Sequence, residues 1–212
     1  MNTNIIDALK WRYATKKFDA TKKLSKEQLE VALESLRLSA SSFGLQPWKF
    51  IHVVNPDIRK QLRAAAWDQT QVTDASELFV LAVNKNVDAA YVERFVESDA
   101  KARSISVDVL KGYGDMMKGS LATRSGEQVV EWSTRQVYVA LGTALTSLAT
   151  QGIDACPMEG FDPKKFDEIL GLAKLGLESR VMLTVGFRAA DDDMAQAAKA
   201  RFDRSEVVIE VE

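Results

Sequence analysis

Apolar residues recur every three or four positions over most of this chain, which is the spacing of an amphipathic α-helix. Ile5 and Leu9 lie in a first short helix that is expected to end near Trp11. Ser25 is followed three residues later by Gln28, and this capping-box pair predicts the N-terminus of a second helix. The chain therefore opens with two helices.

Further helices are predicted in the middle of the chain. Asn55 as cap and Pro56 in the first turn predict a helix over NPDIRKQLRAAAW. Residues 87–118 form a long, charged and mostly helical stretch, in which we expect a break near Gly112 and Gly114.

The strongest helical pattern lies in EQVVEWSTRQVYVALGTALTSLATQG. Val137, Leu141, Leu145 and Leu148 share one side of this helix, and Gly152 follows at the position of a C-terminal stop. The pattern predicts a long helix with one face in the core.

Strands are fewer. The short apolar runs WKFIHVV, LFVLAVN and RVMLTVGF are typical of strands that are buried on both faces, and IDACPME is a weaker fourth. The final SEVVIEV also has strand composition, and such a tail often pairs with the sheet edge of a neighbouring subunit. Helices followed by alternating strands and helices, without a repeat or linker, predict a single α+β domain over residues 1–212.

Composition narrows the classes of function. The 212 residues carry a net charge of −2, with 46% hydrophobic residues and one cysteine. This balance predicts a cytoplasmic protein with no affinity for nucleic acid, and no apolar run reaches the roughly 20 residues that span a membrane. Cys156, just before Pro157, is expected to be a small buried apolar residue.

The chain contains a single histidine, His52, within KFIHVV. A Ser-His-Asp triad or a histidine-rich metal site would depend on this one residue, and its neighbours place it on a strand face. We therefore expect no metal site and no catalytic side chain. If the protein is an enzyme, a bound cofactor carries the chemistry.

Basic residues cluster at both ends of the chain: Arg12 and Lys16 near the start, and Lys199, Arg201 and Arg204 near the finish. Each cluster alone is typical of a solvated face. Chain ends often lie close together, however, and converging cations would form a phosphate site. The sequence has neither of the glycine-rich motifs of the common nucleotide folds.

Six segments resemble, in the same order, those of the flavin-dependent nitroreductase and flavin reductase family: RYATKKFD, SASSFGLQPWKF, QVTDAS, EWSTRQVYVALG, CPMEGFDP and AKAR. The resemblance implies a nitroreductase-like fold, with a central mixed sheet flanked by helices and a C-terminal strand that extends to the partner subunit of a homodimer. It further implies FMN at the interface and NADH or NADPH as electron donor. The acceptor would be a nitroaromatic, a quinone or free flavin, reduced by ping-pong hydride transfer.

The resemblance also assigns cofactor-binding residues. Arg12, Lys199 and Arg201 correspond to ligands of the FMN phosphate. Lys16 would lie by the edge of the flavin ring where negative charge appears on reduction, and Gln71 would hydrogen-bond the pyrimidine side.

Two loops complete the set that the resemblance implies. Met158, Glu159 and Gly160 belong to a segment whose backbone N–H groups at the last two positions approach flavin N5. The loop in SASSFGLQPWKF would reach across the dimer interface to the flavin, through Ser41, Ser42, Phe43 and Gly44.

The sequence departs from many relatives at two sites. Tyr13 and Ala14 stand where His-Ser is common beside the phosphate, and Phe43-Gly44 replaces Thr-Asn beside the ring. Two roles stay open: Glu159 could act through its side chain or its backbone, and Tyr113 could cover the substrate or only pack a helix end. Other flavin chemistry on this fold, such as flavin fragmentation or dehalogenation, and a non-catalytic module that binds a phosphorylated ligand are the alternatives.

Overall fold

The computed structural model describes residues 4–211. Four strands run through this part of the chain: β1 (Trp48–His52), β2 (Glu77–Asn84), β3 (Asp154–Met158) and β4 (Leu177–Gly186). The α-helices of the same part are α1 (Ile5–Trp11), α2 (Lys26–Arg37), α3 (Pro56–Ala64), α4 (Gln71–Asp74), α5 (Ala89–Arg103), α6 (Lys111–Ala122), α7 (Gly126–Thr150), α8 (Pro163–Leu170) and α9 (Arg204–Val207). Within residues 4–211, no helix combines the length and apolar character needed to cross a bilayer.

The strands form one sheet in the order β1-β2-β4-β3, and each neighbouring pair is antiparallel. The sheet expected to be mixed is therefore antiparallel in its strand ladders. Its one parallel contact in the described chain is an isolated bridge between Ala14 and Ala155. β1 and β3 are the two edge strands.

Helices cover both faces of the sheet. Phe79 of β2 pairs with Leu183 of β4, and both belong to a core that also contains α2 and α7. Val80 and Met182, the next pair, belong to a second core with α3 and α8. All four side chains are fully buried, and each such burial contributes roughly 1.5–3 kcal/mol. The all-apolar strand sequences follow from this two-sided cover.

The local signals in the sequence are confirmed where they were strongest. Ser25 and Gln28 form a reciprocal capping box, and the Asn55 side chain accepts hydrogen bonds at the start of α3. Gly152 follows α7 with φ of +68°, a backbone conformation that suits glycine. His52 lies on β1, stacked on Phe79 with ring centroids 4.7 Å apart.

The break in the stretch 87–118 lies elsewhere than expected. α5 ends at Arg103 and is followed by its C-cap Ser104, which adopts φ of +54°, whereas Gly112 and Gly114 lie inside α6. A Cβ at Gly114 would lie 3.3 Å from Val96 on α5. The glycine therefore permits close packing of two helices and does not interrupt one.

The C-terminal tail forms no strand within the single chain, and its pairing with a partner subunit stays a prediction. Residues 204–207 form the short helix α9, and residues 208–211 have no regular structure. Ile209 and Val211 are 88% and 92% exposed. A strand requires a neighbour for its backbone hydrogen bonds, and the tail has none within the described chain.

Candidate functional site

The segment after α1 lies along the outer edge of β3. Ala14 forms its bridge with Ala155, and Phe18 forms an antiparallel bridge with Arg188 just beyond β4. The segment therefore carries Arg12 and Lys16 along this edge of the sheet. Lys16 and Arg12 both lie close enough to the buried Cys156 to lower its pKa, although burial has the larger effect and leaves the pKa raised.

A buried carboxylate, Asp192, holds this segment in place. One of its oxygens accepts hydrogen bonds from the Tyr13 hydroxyl at 2.8 Å and from the backbone N–H groups of Lys16 and Lys17 at 2.9 and 3.1 Å. Burial would raise the pKa of Asp192, but these hydrogen bonds outweigh it and the pKa lies below its usual value. Asp192 is therefore ionised, and its carboxylate fixes the backbone of Lys16.

A second anchor is formed by Arg188. Its guanidinium donates to one carboxylate oxygen of Asp154 from Nε at 2.8 Å and from Nη2 at 2.6 Å. The same guanidinium stacks on the rings of Trp11 and Tyr13, 4.3 and 4.6 Å from their centroids. Burial and the hydrogen bond to Asp192 raise the pKa of Tyr13. Tyr13 is thus directed into the protein scaffold.

Cations from both ends of the chain converge at the end of α1. The Lys199 ammonium donates to the backbone carbonyls of Leu9, at 2.5 Å, and of Arg12. Burial lowers the pKa of Lys199, and the nearby charges of Arg12 and Arg201 lower it further. Burial and Arg201 likewise lower the pKa of Arg12. Arg204 instead pairs with Glu210 at 3.7 Å.

This convergence has the character of an anion site. Within residues 4–211, no carboxylate forms an ion pair with Arg12, Lys199 or Arg201. These three positive charges repel one another, and a bound anion would relieve that repulsion. A phosphate monoester carries about two negative charges near pH 7, which fits this donor set.

The segment after β3 lies beside the same edge. The Tyr138 hydroxyl of α7 donates to the Glu159 carboxylate at 2.5 Å, and burial together with this bond raises the pKa of Tyr138 to about 12. Met158 is buried, and the Gly160 carbonyl accepts from Gln69 Nε2 at 2.6 Å.

Gly160 allows a flat ring to approach the backbone. A Cβ at this position would lie only 2.9 Å from Cζ3 of Trp67, so the indole occupies the space that a side chain would need. In this structure the approaching ring is therefore that of Trp67.

Gln71 is buried at the first residue of α4, and a buried arginine fixes this helix. Arg59 donates to the backbone carbonyls of Val72, Ala75 and Ser76 at 2.8, 2.6 and 3.0 Å. The guanidinium thus caps the carbonyl end of α4 and fixes the turn that carries Gln71.

The loop 41–46 has an unusual backbone. Phe43 and Gln46 adopt φ of +59° and +48°, which residues with side chains seldom do, and Gly44 adopts +73°. The Ser41 hydroxyl accepts from the Gln46 N–H at 2.9 Å, and the Ser42 N–H donates to Gln136 at 2.8 Å. The Ser41 hydroxyl and the Ser42 N–H are therefore already engaged within the chain.

Tyrosines of the helical pair α5 and α6 hold the same loop. The Tyr113 hydroxyl donates to the Phe43 carbonyl at 3.2 Å, and the Tyr91 hydroxyl donates to the Gln46 carbonyl at 2.7 Å. This hydrogen bond joins the start of α6 to the loop, and both roles of Tyr113 stay predictions.

A single chain does not bring all the expected residues together. The segments at 12–16, 67–71, 158–160 and 199–201 lie around the β3 edge. The loop 41–46 instead contacts Gln136, which is two residues before Tyr138 on α7. Each residue turns a helix by about 100°, so two positions correspond to a rotation of about 200°. The contacts of Gln136 and Tyr138 therefore lie on nearly opposite sides of α7.

Sequence reasoning missed Asp154, Arg188, Asp192 and Trp67. The two anchors join residues that are 34 and more than 170 positions apart, and their spacing matches no motif. Only the basic clusters signalled that the chain ends meet.

Comparison with known proteins identifies the family. The model of the Nitroreductase family matches residues 9–187. A Staphylococcus epidermidis protein named "Putative NAD(P)H nitroreductase" is 38% identical over 201 residues, which is 90% of each chain.

Two solved structures share the fold. A "putative nitroreductase in complex with FMN" from Exiguobacterium sibiricum superposes with a TM-score of 0.86 at 18% identity, covering 99% of this chain and 98% of the other. A Nitroreductase Family Protein from Streptococcus pneumoniae gives 0.80 at 22% identity, covering 98% and 100%. The six sequence segments lie in register, the α+β fold is shared, and the family model matches most of the chain. The chain therefore belongs to the nitroreductase family.

Proposed function

We propose that the protein is an FMN-dependent NAD(P)H oxidoreductase that reduces nitroaromatics, quinones or free flavins. The observation that carries this proposal is the meeting of the two chain ends, where the Lys199 ammonium donates to the Arg12 carbonyl and the charge of Arg201 acts on both residues. Within the described chain none of the three forms an ion pair with a carboxylate. Bound FMN would supply the chemistry, because its ring exchanges hydride with a nicotinamide and electrons with an acceptor. The relatives named for NAD(P)H and the FMN-bound structural neighbour support this choice of cofactor and donor.

The residues around the β3 edge would bind and orient the cofactor. Arg12, Lys199 and Arg201 would hold its phosphate through charge-assisted hydrogen bonds. Lys16, with its backbone fixed by Asp192, would bring a positive charge to the ring and stabilise negative charge there. This arrangement gives the protein control over how readily the ring is reduced.

The remaining cofactor contacts would come from Gln71 and from the backbone of Met158, Glu159 and Gly160. The Glu159 carboxylate is engaged by Tyr138, so its backbone is the part available to the cofactor. Tyr13 and Ala14 would contribute through the backbone, because the Tyr13 hydroxyl is committed to Asp192. Proton transfer needs no dedicated side chain, since solvent can supply it.

We further propose that the active form is a homodimer in which the loop 41–46 of each chain completes the site of the other. The loop and the β3 edge lie on different sides of α7, which supports a contribution from a partner. Apolar surface is also exposed: Ile5 and Ile6 are each 53% exposed on α1. Within residues 4–211, the outer edge of β1 pairs with no strand and is a suitable place for the tail of a second copy.

Light scattering tests the dimer. The full chain is expected to have twice the mass of one subunit, and a chain that ends at Asp203 is expected to dissociate more readily because it lacks the apolar tail. A full chain that remains monomeric at micromolar concentration rules out the homodimer.

Steady-state kinetics test the activity. Initial rates with NADH or NADPH at several fixed concentrations of a nitroaromatic are expected to give parallel double-reciprocal lines, because donor and acceptor use one site in turn. Intersecting lines contradict the ping-pong scheme. No consumption of either donor with any of the three acceptor classes contradicts the oxidoreductase assignment and favours a module that binds a phosphorylated ligand.

A further inference from the structure

Trp67 is a large aromatic residue in an unusual position. Trp67 is 71% exposed. It lies in a turn in which Trp67 and Asp68 adopt φ of +51° and +59°. A left-handed backbone is rare for a bulky residue, and two in succession are costly. Exposure of an indole also forgoes the free energy of burying it. Neither feature stabilises the isolated chain.

The turn is nevertheless held by several hydrogen bonds. Arg63 donates from Nε to the Asp68 carboxylate at 2.8 Å, and the Asp68 N–H donates to the Arg63 carbonyl at 3.0 Å. The Gln69 side chain bridges the carbonyls of Ala66, at 3.0 Å, and Gly160, at 2.6 Å. The indole is therefore presented on a fixed support with one edge against Gly160.

We propose that the exposed face of the Trp67 indole stacks on the aromatic acceptor and so favours acceptors with a flat ring. The inference rests on the proposed function, in which Gly160 belongs to the segment beside the cofactor ring. An aromatic side chain held there borders the space in which an acceptor would meet that ring. Offset stacking rewards a flat acceptor and gives nothing to an acceptor without one.

Equilibrium binding tests the proposal without turnover. The FMN-loaded protein is titrated with 4-nitrobenzoate by calorimetry in the absence of NADH and NADPH. Trp67→Ala is expected to weaken binding about tenfold, the scale of one aromatic stacking contact together with its buried area. Trp67→Phe, the matched control, keeps a ring on the same backbone and is expected to lose no more than about threefold.

Kinetics separate stacking from a general structural role. With 4-nitrobenzoate, Trp67→Ala is expected to raise KM, while the rate with ferricyanide, which has no ring, stays unchanged. Equal affinity of Trp67→Ala and the unaltered protein for 4-nitrobenzoate overturns the proposal. An equal loss of rate with ferricyanide also overturns the proposal. A change in molar mass does so too, because it would make the indole a subunit contact. Failure of the proposed function itself is distinguishable, because the unaltered protein would then neither bind FMN nor oxidise a donor.

Discussion

Arg201→Ala is expected to weaken FMN binding by about tenfold to a hundredfold, the equivalent of one hydrogen bond to a charged group at about 1.5–3 kcal/mol. Arg201 is one of three cations that gather where α1 ends, and its charge lowers the pKa values of both Arg12 and Lys199. An anion bound there interacts with all three, so removal of one leaves the phosphate with fewer donors. Fluorescence titration of the FMN-free protein measures the loss.

Arg204→Ala is the matched control. Arg204 lies three residues farther along the same tail, but its contact is a loose, solvent-exposed pair with Glu210 at 3.7 Å. Its removal is expected to change FMN affinity by less than about twofold. Equal affinities of the Arg201→Ala and Arg204→Ala variants would refute the phosphate site.

Arg201→Ala is expected to affect thermal stability differently in the FMN-free and the FMN-bound protein. Without the anion, Arg12, Lys199 and Arg201 repel one another, so the FMN-free Arg201→Ala variant is expected to melt no lower than the unaltered chain. With FMN present, the variant is expected to melt lower. If Arg201 only stabilised the fold, its removal would lower Tm both with and without FMN.

Arg59→Met is expected to cost about 3 kcal/mol of unfolding free energy, because three buried backbone carbonyls lose a charged donor and methionine cannot replace it. For a chain of this size this corresponds to a Tm decrease of roughly 6–12 °C. Thermal melts followed by circular dichroism at fixed protein concentration measure the effect. Because Arg59 caps α4, the variant is also expected to loosen the turn that carries Gln71.

Lys60→Met provides the comparison on the same helix. Lys60 pairs with Asp57 at 2.9 Å, and both side chains are more than 70% exposed. Such a surface pair contributes little, so the free energy of unfolding is expected to change by less than about 1 kcal/mol. If Arg59→Met destabilises the fold no more than Lys60→Met does, the capping role of Arg59 is wrong.

Local chemistry explains why most elements could be predicted from the sequence. A capping box such as that of Ser25 and Gln28 involves atoms three residues apart, so its signal is complete within a short segment. The four apolar runs identify their strands for a similar reason, since helices cover both faces of the sheet. Their antiparallel pairing depends on the path of the chain between them and was not visible.

Features that depend on distant contacts were predicted poorly. Gly114 was expected to interrupt a helix, but its lack of a Cβ accommodates Val96 on the neighbouring helix. The tail at 208–211 has the composition of a strand, yet a strand also requires an edge to pair with. Composition cannot supply that second condition.

The candidate site shows the same division. The basic residues at the two chain ends were identified from the sequence, and the structure brings Arg12, Lys199 and Arg201 together. Asp192 and Arg188 were not identified from the sequence. The Asp192 carboxylate accepts backbone N–H groups from a segment over 170 residues away, and such a contact produces no pattern in the sequence. Their roles emerge only when the two ends of the chain meet.

The visible absorption spectrum of the purified protein, recorded before and after anaerobic addition of NADH and then NADPH, tests whether the protein is a flavin oxidoreductase. We expect an oxidised-flavin spectrum, from FMN equimolar with the chain, that bleaches when a donor is added. A colourless protein that also fails to take up added FMN would rule out the flavin oxidoreductase and leave the converging cations as a site for another phosphorylated ligand.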